Sequence, residues 1–265
     1  MQHRRDFVYD GGVRLAWTVV LAAGCAFRPG ITGDGSGGSA ARDAQDDAPL
    51  DGDNAAPPAV VAFASASSAG TDGLSYTFSV PAGNDRLLLV SAQTGSTCPP
   101  TGATISTVTY GGAPLTRVAA VFGVPNCATD TRTEVWELIA PPVGSATVRV
   151  TLSQTEPTLH SIAIAVAGVD PTNPVSGQGS NSGSDVTSSV TVASAPSDLV
   201  VSFVGQGSYI DSPTTGTLIV LDNVSSSTSL DNTAASQLPG ATSVAASWQF
   251  GSSDNWQEVV VALRP

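Results

Sequence analysis

The stretch that decides the fold begins with T-V-T-Y-G-G-A-P-L-T-R-V at Thr107–Val118, continues with T-E-V-W-E-L-I-A-P-P-V-G at Thr133–Gly144, and closes with T-V-R-V-T-L at Thr147–Leu152. Each segment is rich in β-branched and aromatic residues and is bounded by Gly or Pro, which is typical of a strand. Gly111-Gly112 can adopt positive φ at both positions and predicts a tight hairpin. Pro141-Pro142 cannot donate ladder hydrogen bonds, so a strand must end there.

The chain from Ala59 onward continues this pattern. Tyr76, Phe78 and Val80 alternate with small polar residues, whereas Leu87–Ala92 is an apolar run that predicts a strand covered on both faces. No window shows sustained helical periodicity. Further strands are predicted at Ser161–Ala167, Val186–Val192, Asp198–Val204, Thr217–Leu221, Ala241–Phe250 and Trp256–Leu263, with a Gly/Ser-rich loop at Ser176–Ser184.

About a dozen short strands with regular turn signals predict an all-β fold. We expect two antiparallel sheets packed as a jelly-roll-like β-sandwich. No linker-like interruption follows Ala59, so residues 59–265 are expected to form a single domain.

Several short motifs also point to a known kind of module. They are T-Y-G-G-x-x-L-T from Thr109, E-x-W-x-L-x-x-P-x-x-G from Glu134, G-V-D-x-x-x-P at Gly168–Pro174, and a closing W-x-x-V-x-V-A-L-R-P at Trp256–Pro265. In this order they resemble a β-sandwich module of bacterial extracellular and cell-surface proteins, over roughly residues 59–265. The resemblance implies the fold and an exported protein. It brings no shared activity or catalytic residues.

Composition excludes one class of partner. Only 12% of the 265 residues are charged, all ten basic residues are Arg, and the net charge is −12. Such a chain cannot neutralise phosphates, so no nucleic-acid partner is expected. A basic partner stays open, although a diffuse acidic surface often serves solubility alone.

The N-terminal region predicts export. Leu15–Gly24 is an apolar run after Arg14, too short for the roughly 20 residues that cross a bilayer, and is typical of a signal-peptide core. It ends L-A-A-G-C, which resembles a bacterial lipobox. Residues 1–24 are therefore interpreted as a signal peptide and Cys25 as the lipidated N-terminus. The alternative is ordinary cleavage nearby, which would leave Cys25 as a free thiol.

The lipobox resemblance also implies an address. Ala26 stands where lipoproteins of the inner membrane typically carry Asp, so an outer-membrane or cell-surface location is implied. Residues 25–58 are rich in Gly, Ala and Asp and predict a disordered acidic tether. The membrane would then be a partner through the lipid anchor.

The other two cysteines, Cys98 and Cys127, predict a disulfide. Both lie in loops next to prolines, and the Gly111-Gly112 hairpin between them can return the chain to the same end of the sandwich. Export removes the reducing environment that would keep them as thiols. The alternative is two unpaired thiols whose Cβ atoms lie too far apart to bridge.

No catalytic constellation or cofactor site is apparent. His160 is the single histidine after the signal peptide and shares strand parity with Ile162, which indicates a partly buried side chain. Glu134 and Glu137 are three apart on a strand and face opposite sides, so they cannot form the close carboxyl pair of a retaining glycosidase. A distant pair such as Glu134 with Glu258 stays open.

No metal site is predicted either. Cys98 and Cys127 are far from zinc-ligand spacing. Asp51-Gly52-Asp53-Asn54 does not complete a calcium loop and has no bidentate Glu nearby.

Two aromatic residues are candidates for ligand contact. Tyr209 and Trp256 sit at predicted loop edges, although Trp256 opens a strand and is expected to be core. The sequence thus favours a lipid-anchored β-sandwich with a binding or structural role at the cell envelope, whose ligand is a glycan or another surface protein. The alternative is an extracellular carbohydrate-active hydrolase with a jelly-roll fold.

Overall fold

The computed structural model describes residues 14–16, 56–95, 102–123, 132–207, 209–223 and 232–265. These residues form fourteen strands and no helix. The strands are β1 Arg14–Ala16, β2 Ala59–Val80, β3 Leu87–Gly95, β4 Ile105–Tyr110, β5 Ala113–Pro114, β6 Thr116–Phe122, β7 Arg132–Ile139, β8 Gly144–Ala167, β9 Val175–Ala193, β10 Leu199–Gln206, β11 Ile210–Pro213, β12 Thr217–Asn223, β13 Asn232–Pro239 and β14 Ser243–Leu263.

The strands form two antiparallel sheets, each from one continuous part of the chain. The first sheet has eight strands in the order β1-β2-β8-β3-β7-β6, with β4 and β5 attached to β8. The second has six strands in the order β11-β14-β10-β13-β12, with β9 paired to β14. We call β1–β8 the first half and β9–β14 the second half. The predicted all-β antiparallel sandwich is confirmed.

The sequence predicts short strands, but the longest strands are much longer. Each of them bends and takes part in two layers. β2 and β8 run for 22 and 24 residues and pair along almost their whole length, with a register shift between Thr71 and Gly73. Beyond this bend the chain folds back, since Tyr76 Oη lies 2.9 Å from Ser161 Oγ although Ser161 pairs with the other end of β2. β2 and β8 therefore each contribute to an inner and an outer layer.

The predicted loop at Ser176–Ser184 is wrong, because these residues belong to β9 and pair with β14. β9 also folds back on itself: a Cβ atom on Gly179 would lie 2.8 Å from the carbonyl oxygen of Thr191, twelve positions later in the same strand. A Cβ on Gly177 would collide with the Ala193 carbonyl in the same way. Glycine is required here for close backbone approach, so this glycine-rich segment is a strand although its composition is typical of a loop.

The order in which the strands pair makes each half a jelly roll. In the first half, an inner layer of β2, β8, β3, β7 and β6 faces an outer layer made from the other ends of β2 and β8 together with β4 and β5. In the second half β9, β10, β11, β12, β13 and β14 repeat the pairings of β2, β3, β4, β6, β7 and β8. The sequence predicts one jelly roll over residues 59–265, whereas this topology occurs twice, and four layers are stacked.

The two inner layers face each other across a shared apolar core, which we call the central core. It is contributed by both halves, chiefly by Leu87, Leu89, Ile162, Ile164, Val166, Val201, Phe203, Val259, Val261 and Leu263. β6 of the first half lies against β9, and its counterpart β12 lies against β2. This reciprocal contact is the kind found in a two-fold dimer, here within one chain.

Separate cores lie between the inner and outer layer of each half. The first contains Tyr76, Phe78, Val148 and Val150, with Trp136 and Leu138 packed against it. The second includes Trp248, Phe250 and Trp256. β3 is buried along its whole length between the central core and the first of these cores, as predicted from its continuous apolar sequence. Among the described residues, no helix is long and apolar enough to span a membrane.

The hairpin and strand ends that the sequence predicted are also present. Gly111 and Gly112 have φ of 56° and 86° and connect β4 to β5, with Tyr110 paired to Ala113. β7 stops at Ile139 before the two prolines, and β8 starts at Gly144.

Candidate binding end

Strand ends from both halves lie together at one end of the sandwich. β3 ends where β7 begins, with Thr94 paired to Arg132, and β10 ends where β13 begins, with Gln206 paired to Asn232. The two halves place these strand ends at the same end of the sandwich, because a Cβ atom on Gly205 would lie 2.9 Å from the side-chain oxygen of Gln93. We call this the loop end. Loops held by a rigid sandwich are the usual place for binding residues.

Tyr209 and Trp256 both lie near the loop end, but in different environments. The Tyr209 side chain is 56% exposed and follows the end of β10. Trp256 is 5% exposed and packs in the second-half core, where its ring touches the backbone of Gly183. Trp256 is therefore a core residue, as expected, and of these two candidates only Tyr209 has an exposed ring.

A second exposed aromatic ring lies at the loop end, on the first half. Phe122 is the last residue of β6 and is 53% exposed. Arg132 pairs with it across the strands, and the guanidinium carbon lies 4.5 Å from the ring centroid. This stacking holds a cation over an aromatic face.

Arg132 also contacts a buried carboxylate. Its Nη1 lies 3.1 Å from Oε1 of Glu134, and Arg117 Nη1 lies 3.5 Å from the same oxygen. The Glu134 side chain is fully buried, while that of Arg117 is 51% exposed. Burial raises the pKa of Glu134, and the two guanidinium groups oppose that rise. We call Arg117, Phe122, Arg132 and Glu134 the arginine–phenylalanine patch.

The carboxyl groups considered as catalytic pairs are kept apart. Glu134 shares the outer side of β7 with Trp136, which packs against the first-half core, whereas Glu137 points to the side of the central core. Glu258 shares its side of β14 with Val260 and faces the second-half core. Both inner layers therefore lie between Glu134 and Glu258.

A polar row closes the central core at the loop end. Gln93 pairs with both Thr133 and His160, and all three side chains are buried. His160 shares its face with Ile162, as its parity predicted, and burial lowers its pKa to about 4. His160 Nδ1 and both amide atoms of Gln93 have no protein partner. At neutral pH the row is therefore uncharged.

At the opposite end of the sandwich, an open depression of about 330 Å³ lies between the halves. It is lined by Pro58, Ala59, Val60, Leu199, Thr217, Gln237, Leu238 and Pro239. None of these residues is charged. Nothing in this lining would select an ionic ligand.

Cys25, Cys98 and Cys127 lie outside the described residues, as do Asp51–Asn54 and most of the predicted signal peptide and tether. In the part of the chain that is described, no group of three or more His, Cys, Asp or Glu side chains is placed to hold a metal ion.

Comparison with known proteins gives no match: no family model, no curated protein and no solved structure is similar to this chain.

Sequence reasoning considered Glu134 only as an acid and missed the patch around it. A signal was present, because Arg132 and Glu134 are two apart on a predicted strand and must share a face. The approach of Phe122 and Arg117 depends on the pairing of β6 with β7. Local sequence patterns do not specify which strands pair, so this approach is not visible in the sequence.

Proposed function

We propose that this protein is an exported, lipid-anchored β-sandwich of the cell envelope that binds a glycan or another surface polymer at its loop end. One observation supports the site: among the described large apolar side chains that are exposed, the two aromatic ones, Tyr209 and Phe122, both lie at the loop end. The others are the aliphatic Val61, Val143, Val186 and Leu218. Exposed aromatic rings are suited to binding surfaces.

The binding proposal is tested with a glycan array and three variants of the full chain. Tyr209→Ala and Phe122→Ala should each weaken retention without changing the melting temperature. Val143→Ala is the matched control, because Val143 is equally exposed, at 54%, in the turn at the opposite end. The proposal would be contradicted if all three variants bound the array equally, or if the wild-type protein bound no glycan. Release of reducing sugar from any polysaccharide would instead indicate the hydrolase.

The anchor is tested at Cys25. The acyl chains of a mature lipoprotein meet the two-signal requirement for stable membrane attachment. The wild-type protein should partition into detergent, and Cys25→Ser should remain in the aqueous phase. Equal partitioning of the two would eliminate the lipid anchor and leave export by ordinary cleavage.

The disulfide between Cys98 and Cys127 remains a proposal. It is supported by the pairing of Thr94 with Arg132, because the chain leaves these neighbouring positions toward Cys98 and arrives there from Cys127. A loop of roughly 30 residues would contribute about 3–4 kcal/mol by chain entropy. We expect no free thiol at these two positions in the denatured, unreduced exported protein; two free thiols would show that the bond does not form.

A further inference from the structure

The repeated fold provides an internal reference for the arginine–phenylalanine patch. β7 and β13 have the same partners in the two halves, and β6 and β12 both shift register after their second residue, between Arg117 and Ala119 and between Leu218 and Val220. Equivalent residues can therefore be assigned from the pairing alone. Arg117, Phe122, Arg132 and Glu134 correspond to Leu218, Asn223, Asn232 and Ala234.

The second half builds the same strand pair with no charged residue at these four positions. Ala234 is buried where the first half buries the Glu134 carboxylate. Asn223 is used internally, since its amide group donates to the Ile210 carbonyl and accepts from the Ile210 backbone N–H. Burying a carboxylate is costly unless it is paired. The fold does not require a carboxylate at this position, because the second half forms the same strand pair with Ala234 there.

The patch is also positively charged, whereas the protein as a whole is negatively charged. Two guanidinium groups share one carboxylate oxygen, so the patch carries one excess positive charge in a chain of net charge −12. Arg117 is the more accessible of the two arginines to a ligand. Half of its side chain is exposed, and its distance to Glu134, 3.5 Å, is longer than the 3.1 Å of Arg132. The Phe122 ring is also exposed and lies against the other guanidinium group, that of Arg132.

We propose that the patch binds an anionic glycan: Arg117 and Arg132 engage the carboxylate or ester group of an acidic sugar, and Phe122 covers the apolar face of its ring. Guanidinium groups form strong charge-assisted hydrogen bonds with such anions. The buried Glu134 acts as a positioning residue, because its Oε1 forms ion pairs with both arginines and orients their guanidinium groups. This inference rests on the proposed binding function and specifies its ligand class.

Arg117→Leu is the decisive variant, since leucine is the residue that the second half carries at this position. It should fold normally, because Arg132 continues to neutralise Glu134 at 3.1 Å. Arg149→Leu removes an exposed arginine of the outer layer and is the matched control. The probes are polygalacturonate, dextran sulfate and neutral dextran, each tested on the full chain by affinity electrophoresis at low and high salt.

We expect retention by at least one polyanion and not by neutral dextran, which would be notable for an acidic protein. Retention should fall with added salt, drop about tenfold in Arg117→Leu, and remain unchanged in Arg149→Leu. Preference between polygalacturonate and dextran sulfate identifies a carboxylate or a sulfate ester as the recognised group. Phe122→Ala provides a second, independent variant.

Two results would overturn the inference. Polyanion retention that Arg149→Leu weakens as much as Arg117→Leu would indicate nonspecific attraction. Retention of neutral glycans alone, lost in Tyr209→Ala and unaffected by Arg117→Leu, would contradict the patch while leaving the proposed function intact. Absence of any glycan binding in the array would instead contradict the proposed function itself.

Discussion

In the first half of the molecule, the row that closes the central core at the loop end is Gln93, His160 and Thr133; in the second half the equivalent row is Gly205, Gln257 and Thr233. The large Gln93 side chain lies against the backbone of Gly205, which has no side chain. The halves therefore match in topology and complement one another in volume. Strand pairing follows from apolar alternation, so polar positions are free to differ between the two copies.

The largest difference within the central core is between Phe203 and its counterpart Ser91. Phe203 is fully buried and pairs with Ala235 and Val259, whereas Ser91 pairs with the larger Val135 and Ile162. A large residue thus has small neighbours in one half, and a small residue has large neighbours in the other. Such compensation keeps the packing density constant.

Replacing Phe203 should have the largest effect. Phe203→Ala leaves a cavity between the halves, and we expect a loss of about 3–5 kcal/mol in the free energy of unfolding. Chemical denaturation followed by intrinsic fluorescence measures it. A loss below about 1 kcal/mol would show that the central core collapses around the cavity and that the halves are not held by this residue.

The cores between inner and outer layers differ in a second way. In the first half, Tyr76 hydrogen-bonds with Ser161. At the position of Ser161 the second half has Glu258, whose Oε1 accepts a 2.8 Å hydrogen bond from Ser202, and Trp248 Nε1 donates to Ser202 at 3.0 Å. Burial raises the pKa of Glu258 to about 7. The titratable carboxyl of Glu258 therefore stands in the second half where the first half has the hydroxyl of Ser161.

This carboxyl should make stability depend on pH. Glu258 stays protonated in the folded state up to about pH 7, whereas an unfolded glutamate ionises near pH 4.3. Its contribution is therefore fully present below pH 4.3 and is lost as pH rises through 7, by about 3 kcal/mol. Glu258→Gln keeps the acceptor for Ser202 and should remove this loss. Denaturation curves of both proteins between pH 4 and 8 decide it, and parallel stability profiles would contradict the assignment.

His160 should act in the opposite direction. Burial lowers its pKa to about 4, while an unfolded histidine titrates near 6.5. Its contribution is present above pH 6.5 and is lost as pH falls through 4, by up to about 3 kcal/mol.

His160→Gln introduces the residue of the second half and should change little at pH 7 while improving stability near pH 4. Between pH 4.3 and 6.5 the contributions of His160 and Glu258 offset each other, so the double variant should show the flattest profile. An unchanged acid limb in His160→Gln would show that His160 does not titrate in this range.

Much of this architecture can be predicted from sequence because its signals are local. Alternation in Tyr76–Val80 and the continuous apolar run Leu87–Ala92 each specify how many faces of a strand are covered. Gly111-Gly112 specifies a hairpin because few residues tolerate positive φ at two consecutive positions. The buried side of His160 followed from the same parity.

The rest could not be predicted because it depends on contacts that are distant in the chain. Gly177 and Gly179 are needed where β9 folds back on itself, a fact that local composition does not carry. The repeated fold leaves no register-matched trace in the sequence: L-L-L-V-S at Leu87–Ser91 resembles L-V-V-S at Leu199–Ser202, but the pairing makes Phe203, not Ser202, the counterpart of Ser91. Each position needs a side chain of suitable size and parity, not of one identity, so two halves with the same pairing can differ in sequence.

The smallest effect is expected at Ser91, and its sign is informative. Its hydroxyl is fully buried and has no protein hydrogen-bond partner. Removing such a group relieves a desolvation cost, so Ser91→Ala should stabilise the protein by about 1 kcal/mol. Ser91→Val, with matched apolar character but more volume, is the control: it should destabilise if Val135 and Ile162 already fill the space. A loss of stability in Ser91→Ala would show that the hydroxyl is satisfied, for instance by an ordered water between the halves, and that Ser91 and Phe203 differ in hydrogen bonding as well as in volume.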